Sequence, residues 1–310
     1  MAKQHSLTFR MTAFIVVVCA LLVGTDIWRS LAARQVQLKE MTSATTNLAR
    51  AMAQLANDTI KESDTAITGI VERVEHDGTN PAALERLRQL FSARLTQLPQ
   101  LNGLFVFDRT GQLIVSAEPG KLRSYNNADR DYFIFHQSHP DRGARVGVPL
   151  LSRTTGKWTV PVSRRISDAN GNFAGVVVAT IDIDFFLRFY SSLDIGQGGA
   201  AALILNNGRM VVRRPFESRF LGADVSETVL FHAHQMAKSG TFLTKSSQDG
   251  VVRLNSFRSL QDYPLFVAAA LSQQEILAGW RSDTLWHSAG VARWLSRWRC
   301  LVSASSGSSY

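Results

Sequence analysis

The chain states one structural pattern twice, and that repetition constrains its fold more than any other feature. Residues 104–116 run Leu104-Phe105-Val106-Phe107, a polar turn carrying Gly111, then Leu113-Ile114-Val115. Residues 202–213 run Ala202-Leu203-Ile204-Leu205, a polar turn carrying Gly208, then Met210-Val211-Val212. Two β-rich runs around a short Asp/Asn-and-Gly turn are the signal of a β-hairpin. A second hairpin follows each: 159–183 around Asp168-Ala169-Asn170-Gly171, and 251–271 around Gln261-Asp262-Tyr263-Pro264. Hairpin, connector, hairpin thus occurs twice, over roughly 70 to 80 residues each time, about one small domain. Two matched pairs in the same order predict a tandem duplication of an α+β module.

The N-terminus places that duplication. Residues 12–25 carry no charge and are rich in Val, Leu, Ile and Phe, with Trp28 just beyond. Taken as 11–28, with Asp26 at the interface, the run reaches the ~17–25 residues of a membrane-spanning helix. Lys3 and Arg10 precede it, so the N-terminus is expected in the cytoplasm of a bacterium, the span in the inner membrane and the rest in the periplasm. A cleaved signal peptide is the competing reading, but no small-x-small pattern follows the run. Cys19 lies inside the apolar run and Cys300 in the tail, so the modules must stand on a hydrophobic core without disulfides.

A long helix is predicted next. Leu31, Leu38, Met41, Thr45, Leu48, Met52 and Leu55 follow three-to-four spacing, and Ile60, Ser63, Ile67, Ile70 and Val74 resume it. From about 29 to 75 such a helix is about 70 Å long. Its Thr- and Ala-rich seam suits packing along the modules better than a strong isolated coiled coil; a homodimer through the same helix is the other option. His76-Asp77-Gly78 ends it, and Asn80-Pro81 reads as the cap and first residue of a second helix. The division expected is 1–11 cytoplasmic, 12–28 membrane helix, 29–99 helices, 100–190 and 191–272 the two modules, and 273–310 a trailing helix and tail.

Specific motifs then join the pattern. Asp129-Arg130-Asp131-Tyr132-Phe133, His139-Pro140-Asp141-Arg142-Gly143, Gly147-Val148-Pro149, Gly156-Lys157-Trp158 and Val160-Pro161-Val162-Ser163-Arg164-Arg165 follow one another. Gly175 to Ile181 and the stretch from Phe189-Tyr190 to Asp194-Ile195-Gly196 complete the set. Residues 29–271 resemble the double-Cache, tandem PAS-like sensor regions of bacterial receptors, and the motif block closely resembles the sensor half of membrane-bound diguanylate cyclases. The resemblance implies an α+β fold with an antiparallel sheet of about five strands per module and the first module far from the membrane. It also implies a two-state signal, in which ligand shifts the helix seam in the control of cyclic-di-GMP synthesis.

Receptors of that kind re-enter the membrane near Trp286. Here Arg293, Arg297 and Arg299 follow at once, at a cost of several kcal/mol in a bilayer core, so no second span is expected. The composition changes after about residue 292, as in a truncation or an altered reading frame, and the Ser-rich 303–310 is expected to lack shape. No Gly-Gly-Asp-Glu-Phe signature or kinase motif is present, so the output domain is expected to be missing. The sensor region of a chemoreceptor or histidine kinase, or a stand-alone small-molecule binding module, are the alternatives.

Catalytic signatures are sparse, and an envelope hydrolase or metal enzyme is the remote alternative. Gly196-Gln197-Gly198-Gly199 lacks the Lys-Ser/Thr of a phosphate loop and reads as a plain loop. His232 and His234 fall in a helical pattern, and His136, His139 and Asp141 form only a loose metal constellation. No Gly-x-Ser-x-Gly element occurs. No enzyme, cofactor or metal is therefore expected. The net charge of +9 comes with basic clusters at Arg142, Arg145, Arg153, Lys157, Arg164 and Arg165 and at Arg209, Arg213, Arg214 and Arg219. Without a groove-reading motif, and in an exported domain, this does not point to nucleic acid; a solvated basic face or attraction of anionic ligands remains.

The resemblance also implies a ligand site. In amino-acid-sensing relatives a tyrosine, an arginine five residues on and an aromatic pair line the distal pocket; Tyr125, Arg130, Tyr132 and Phe133 stand at those places. A guanidinium fork grips a carboxylate while aromatic faces exclude water. Trp158 joins the candidate set. The ammonium-binding aspartate of those relatives falls near Thr180, with Asp182 two residues along and on the same strand face. That departure favours a dicarboxylate or other plain acid over an amino acid. The structural alternative is that Arg130 pairs with Asp129 or Asp131 and the aromatics are core.

Overall fold

The computed structural model describes residues 2–117 and 125–306. One helix, α1 (Ala2–Asp77), includes both the apolar run and the predicted stalk. It stops at Gly78, whose φ of +70° lies in the left-handed region and whose N–H caps the Val74 carbonyl at 3.1 Å. Asn80 then caps α2 (Pro81–Gln97), its Oδ1 accepting the Ala83 N–H at 3.0 Å.

The duplication is plain in the sheets. The first contains β1 (Leu101–Asp108), β2 (Leu113–Ser116), β3 (Arg145–Val146), β4 (Leu150–Leu151), β5 (Trp158–Ser167) and β6 (Phe173–Asp182). Its order is β2-β1-β6-β5-β3, with β4 also on β5, so it has six strands rather than the five expected. The second contains β7 (Ala200–Leu205), β8 (Met210–Arg214), β9 (Ser239–Lys245), β10 (Val252–Ser259) and β11 (Leu265–Ser272), in the order β8-β7-β11-β10-β9. The order is the same, every pairing is antiparallel, and both first hairpins carry a bulge at the same step. Gly111 and Gly208 both adopt φ +82° in their turns, which a side chain would strain. The α+β class, with a long apolar N-terminal helix and two antiparallel sheets, stands as expected.

Alternation along the strands gives each sheet two faces. Leu104, Val106, Val177 and Ala179 of the first sheet, and Ala201, Leu203, Val267 and Ala269 of the second, join Met52, Ala56, Ile60, Ile67 and Ile70 of α1 in one core. The opposite faces carry separate cores, with Phe105, Phe107 and Val178 in one and Ala202, Ile204 and Phe266 in the other. The stalk therefore packs along both sheets. The Ser256 hydroxyl of the second sheet donates to Thr45 at 2.8 Å, whereas Asp64 and Glu75, further along α1, hold Arg164 and the Ser167 N–H of the first. The second sheet thus lies nearer the apolar end.

A C-terminal helix (Ala278–Ser306) doubles back along α1. The Trp280 indole N–H donates to the Ser30 carbonyl at 2.8 Å, and Thr284 meets the Ser30 hydroxyl at 3.0 Å. The Ser-rich segment expected to be shapeless is helical as far as Ser306; 307–310 lie outside the described residues. Among the described residues α1 is the one helix long and apolar enough to cross a membrane.

Candidate ligand-binding site

Arg130 sits immediately before α3 (Asp131–Ser138), in extended conformation at φ −79° and ψ 140°. Its neighbours Asp129 and Asp131 are both taken by other arginines. Arg153 grips Asp129 bidentately, at 2.9 Å from Nη1 to Oδ1 and 2.6 Å from Nη2 to Oδ2. Arg145 donates to Asp131 at 2.9 Å. Arg130 is consequently without a carboxylate among the described residues. Its Nη2 reaches only the Leu151 carbonyl, at 3.2 Å, and its Nε is buried with no acceptor. The alternative pairing of Arg130 with its sequence neighbours is overturned.

The group has a pocket to face. A cavity of about 30 Å³ lies on the outer face of the first sheet, walled by Arg130 with Phe105, Tyr125, Asn127, Tyr132 and Thr180. That is room for one or two waters, not for an organic acid. The Tyr132 hydroxyl accepts from the Asn127 amide at 2.7 Å, and burial pushes its pKa up to about 12, so the phenol stays neutral. The Arg153 hydrogen bonds hold the Asp129 carboxyl below the usual range.

Four of the predicted residues, Tyr125, Arg130, Tyr132 and Thr180, meet at this cavity. Three do not. Phe133 is 1% exposed and edge-on to Phe173 at 5.3 Å, so it belongs to the core behind the wall. Trp158 opens β5 opposite Leu151, at the sheet margin and partly exposed. Asp182 is consumed locally: its Oδ1 caps α4 (Ile183–Ser192) through the Asp184 N–H at 2.9 Å, and its Oδ2 takes Lys157 at 3.1 Å. Strand alternation put Asp182 on the right face but one step too far along. The lining also includes Asn127, Ser152, Arg153 and Thr154, which sequence reasoning missed. Their signal was weak because Arg153 read only as part of a basic cluster.

The clustered basic groups are mostly internal partners rather than an open patch. Arg142 pairs with Glu75, Lys157 with Asp182 and Arg164 with Asp64. Arg165 donates to the His136 carbonyl at 2.6 Å. The histidines hold structural places. His136 is buried with Nε2 3.0 Å from the Ser163 hydroxyl, His139 stacks on Phe135 at 4.2 Å, and His234, in helix α5 (Val229–Met236), stacks on Phe266 at 3.9 Å. Among the described residues no three His, Cys, Asp or Glu side chains gather as a metal site.

Comparisons with known proteins bear on the family and the fold. The family profile of the Cache domain matches residues 29–280. The extracellular domain of a protein described as a histidine kinase, rpHK1S-Z16, superposes with a TM-score of 0.70 at 32% identity, over 78% of this chain and 99% of its own. The ligand-binding domain of the Pseudomonas fluorescens chemoreceptor CtaA, in complex with L-isoleucine, gives 0.60 at 15% identity, over 79% and 98%. The ligand-binding domain of Mlp24 with asparagine gives 0.56 at 14%, over 78% and 98%. At those lower identities the last two speak to the fold alone. No curated protein matches the chain.

Proposed function

The chain belongs to the Cache domain family, and from that premise we propose that it is the extracytoplasmic sensor region of an inner-membrane receptor, reading a carboxylate-bearing small molecule at Arg130. The carrying observation is that Arg130 lines a cavity with a buried, unpartnered Nε while both adjacent carboxylates are held elsewhere. In this reading residues 100–190 are the membrane-distal module, 191–272 the proximal one, and α1 the anchor and transmission helix. The cavity is too small for an organic acid as it stands. Binding therefore moves the 150–154 segment outward and breaks the contact from Arg130 to Leu151, and that is the two-state element the ligand biases.

The ligand class follows from what surrounds the guanidinium. Thr180 stands where an amine-binding carboxylate would be needed, and Asp182 is occupied by Lys157, so a dicarboxylate or other plain acid fits better than an amino acid. The motif block 129–196 supports a receptor of the diguanylate cyclase type. The relative described as a histidine kinase makes that output the competing reading.

The test is thermal unfolding of the full chain in detergent with succinate, acetate, L-serine and L-isoleucine. A ligand at about 100 times its dissociation constant adds ~2.7 kcal/mol. Stabilisation by an acid that Arg130→Gln abolishes, with the unliganded melting temperature unchanged, supports the reading. An acid that stabilises the variant equally well places the site elsewhere, and preferential response to the amino acids reverses the ligand class.

A further inference from the structure

The second sheet holds the larger cavity, about 200 Å³, at the place equivalent to the distal one. Its hollow has a clear cause. Phe105 and Ala202 each lie six residues before their turn glycine, so they occupy matching positions on β1 and β7. Their cross-strand partners are Val178 and Ala268. A second pairing sets Ala200 against Ala270. Small methyl groups therefore floor the proximal face where a phenyl ring and a valine fill the distal one.

Charge sits beside this apolar floor. Arg213 and Arg253 both line the cavity and are only 5% and 4% exposed. Arg253 spends its donors on Asp249, at 2.7 and 3.0 Å, and on the Gly198 carbonyl at 2.6 Å. Arg213 gives Asp249 only Nη2, at 2.6 Å, and lays its face on Phe220 at 4.6 Å. Its Nε and Nη1 make no hydrogen bond to any described residue. Two guanidinium groups against one carboxylate leave one positive charge, and the other charged lining groups, Lys245 and Glu227, are both exposed and opposite in sign. Burying a cation with unused donors costs free energy unless an acceptor completes it.

We propose that the proximal cavity is a second ligand site, for a small aliphatic monocarboxylate whose chain lies on the alanine floor and whose carboxylate bonds the free edge of Arg213. A monoanion matches the single uncompensated charge, and the apolar floor excludes a second charged end. The distal reading at Arg130 is not required.

The experiment is calorimetric titration of the full chain in detergent with pentanoate and with pentanamide. Pentanoate is expected to bind and pentanamide to bind at least about tenfold more weakly, because the amide loses the charge-assisted bonds. Arg213→Gln is expected to weaken pentanoate by a similar factor. Ala202→Phe refills the hollow and is expected to abolish binding while the melting temperature holds or rises; Ala268→Val, the milder filling, reads the same should the first variant not fold. Arg130→Gln is expected to leave pentanoate binding unchanged. Absence of pentanoate binding at millimolar concentration overturns the proposal. So does equal binding of the amide, undiminished binding to Arg213→Gln or to a filled cavity, or loss of binding in Arg130→Gln.

Discussion

Arg164 of the first sheet reaches across to Asp64 of the stalk helix and holds its carboxylate with two bonds, at 2.5 Å from Nε to Oδ1 and 3.0 Å from Nη2 to Oδ2. Tyr263, in the second sheet's hairpin turn, donates to the same Oδ2 at 3.1 Å. One carboxylate of α1 thus ties both sheets to the same helix. Both members of the ion pair are largely buried, at 22% and 15% exposure, so the pair is a structural clamp rather than a screened surface bridge.

Asp64→Asn should therefore destabilise the whole chain. It leaves a largely buried guanidinium without its counter-charge, at a cost of roughly 2 kcal/mol. For a chain of 310 residues that lowers the melting temperature by roughly 3–4 °C. Thermal unfolding in detergent measures it; a variant that melts with the wild type would show that the clamp adds nothing.

His136 should make stability depend on pH. Burial, chiefly, pushes its pKa down to about 4; the Ser163 bond opposes that shift, while nearby Arg145 and Arg165 add to it and Asp141 opposes it. The folded pKa lies below the unfolded value near 6.5, so the unfolded chain binds the proton first. Stability from this group is present above about pH 6.5 and falls as pH drops toward 4, by up to roughly 3 kcal/mol. His136→Asn removes the titrating group. Denaturant unfolding from pH 7.5 to 4.5 (set about the ordinary His pKa) should find the gap between wild type and variant narrowing on acidification. A gap that stays constant would mean that His136 titrates alike in the folded and unfolded chain, and one that widens would mean that the fold favours its charged form.

Topology gives the third prediction. Lys3 and Arg10 precede the apolar part of α1, so the segment beyond it is expected outside the cytoplasm. Reporters fused after Thr241 should be active only when the reporter requires the periplasm. Activity of a cytosol-requiring reporter there would remove the sensor reading along with the localisation.

Much of the architecture was legible from local rules. Hairpin glycines at 111 and 208, the stop at Gly78 and the Asn80-Pro81 cap are each decided within a few residues by backbone conformation, and each appears where the pattern placed it. The duplication was legible for the same reason, since strand alternation and turn chemistry repeat with the module. The site was legible only in part. Tyr125, Arg130, Tyr132 and Thr180 converge, but Phe133, Trp158 and Asp182 depart, because a face assignment does not say how far along the strand a cavity extends. Which arginine stays unpaired was decided by the tertiary fold. Asp129 and Asp131 flank Arg130 in sequence, yet Arg153 and Arg145 reach them from 24 and 14 residues away once β5 and its loops fold back over α3. The same holds for the alanine floor. Ala202 and Ala268 are ordinary strand residues until the register of β7 on β11 sets them opposite each other and leaves a hollow beside Arg213. Local conformational preferences act between neighbours and so can be read along the chain. Charge pairing and cavity volume depend on groups brought together from distant segments, and only the assembled sheets decide them.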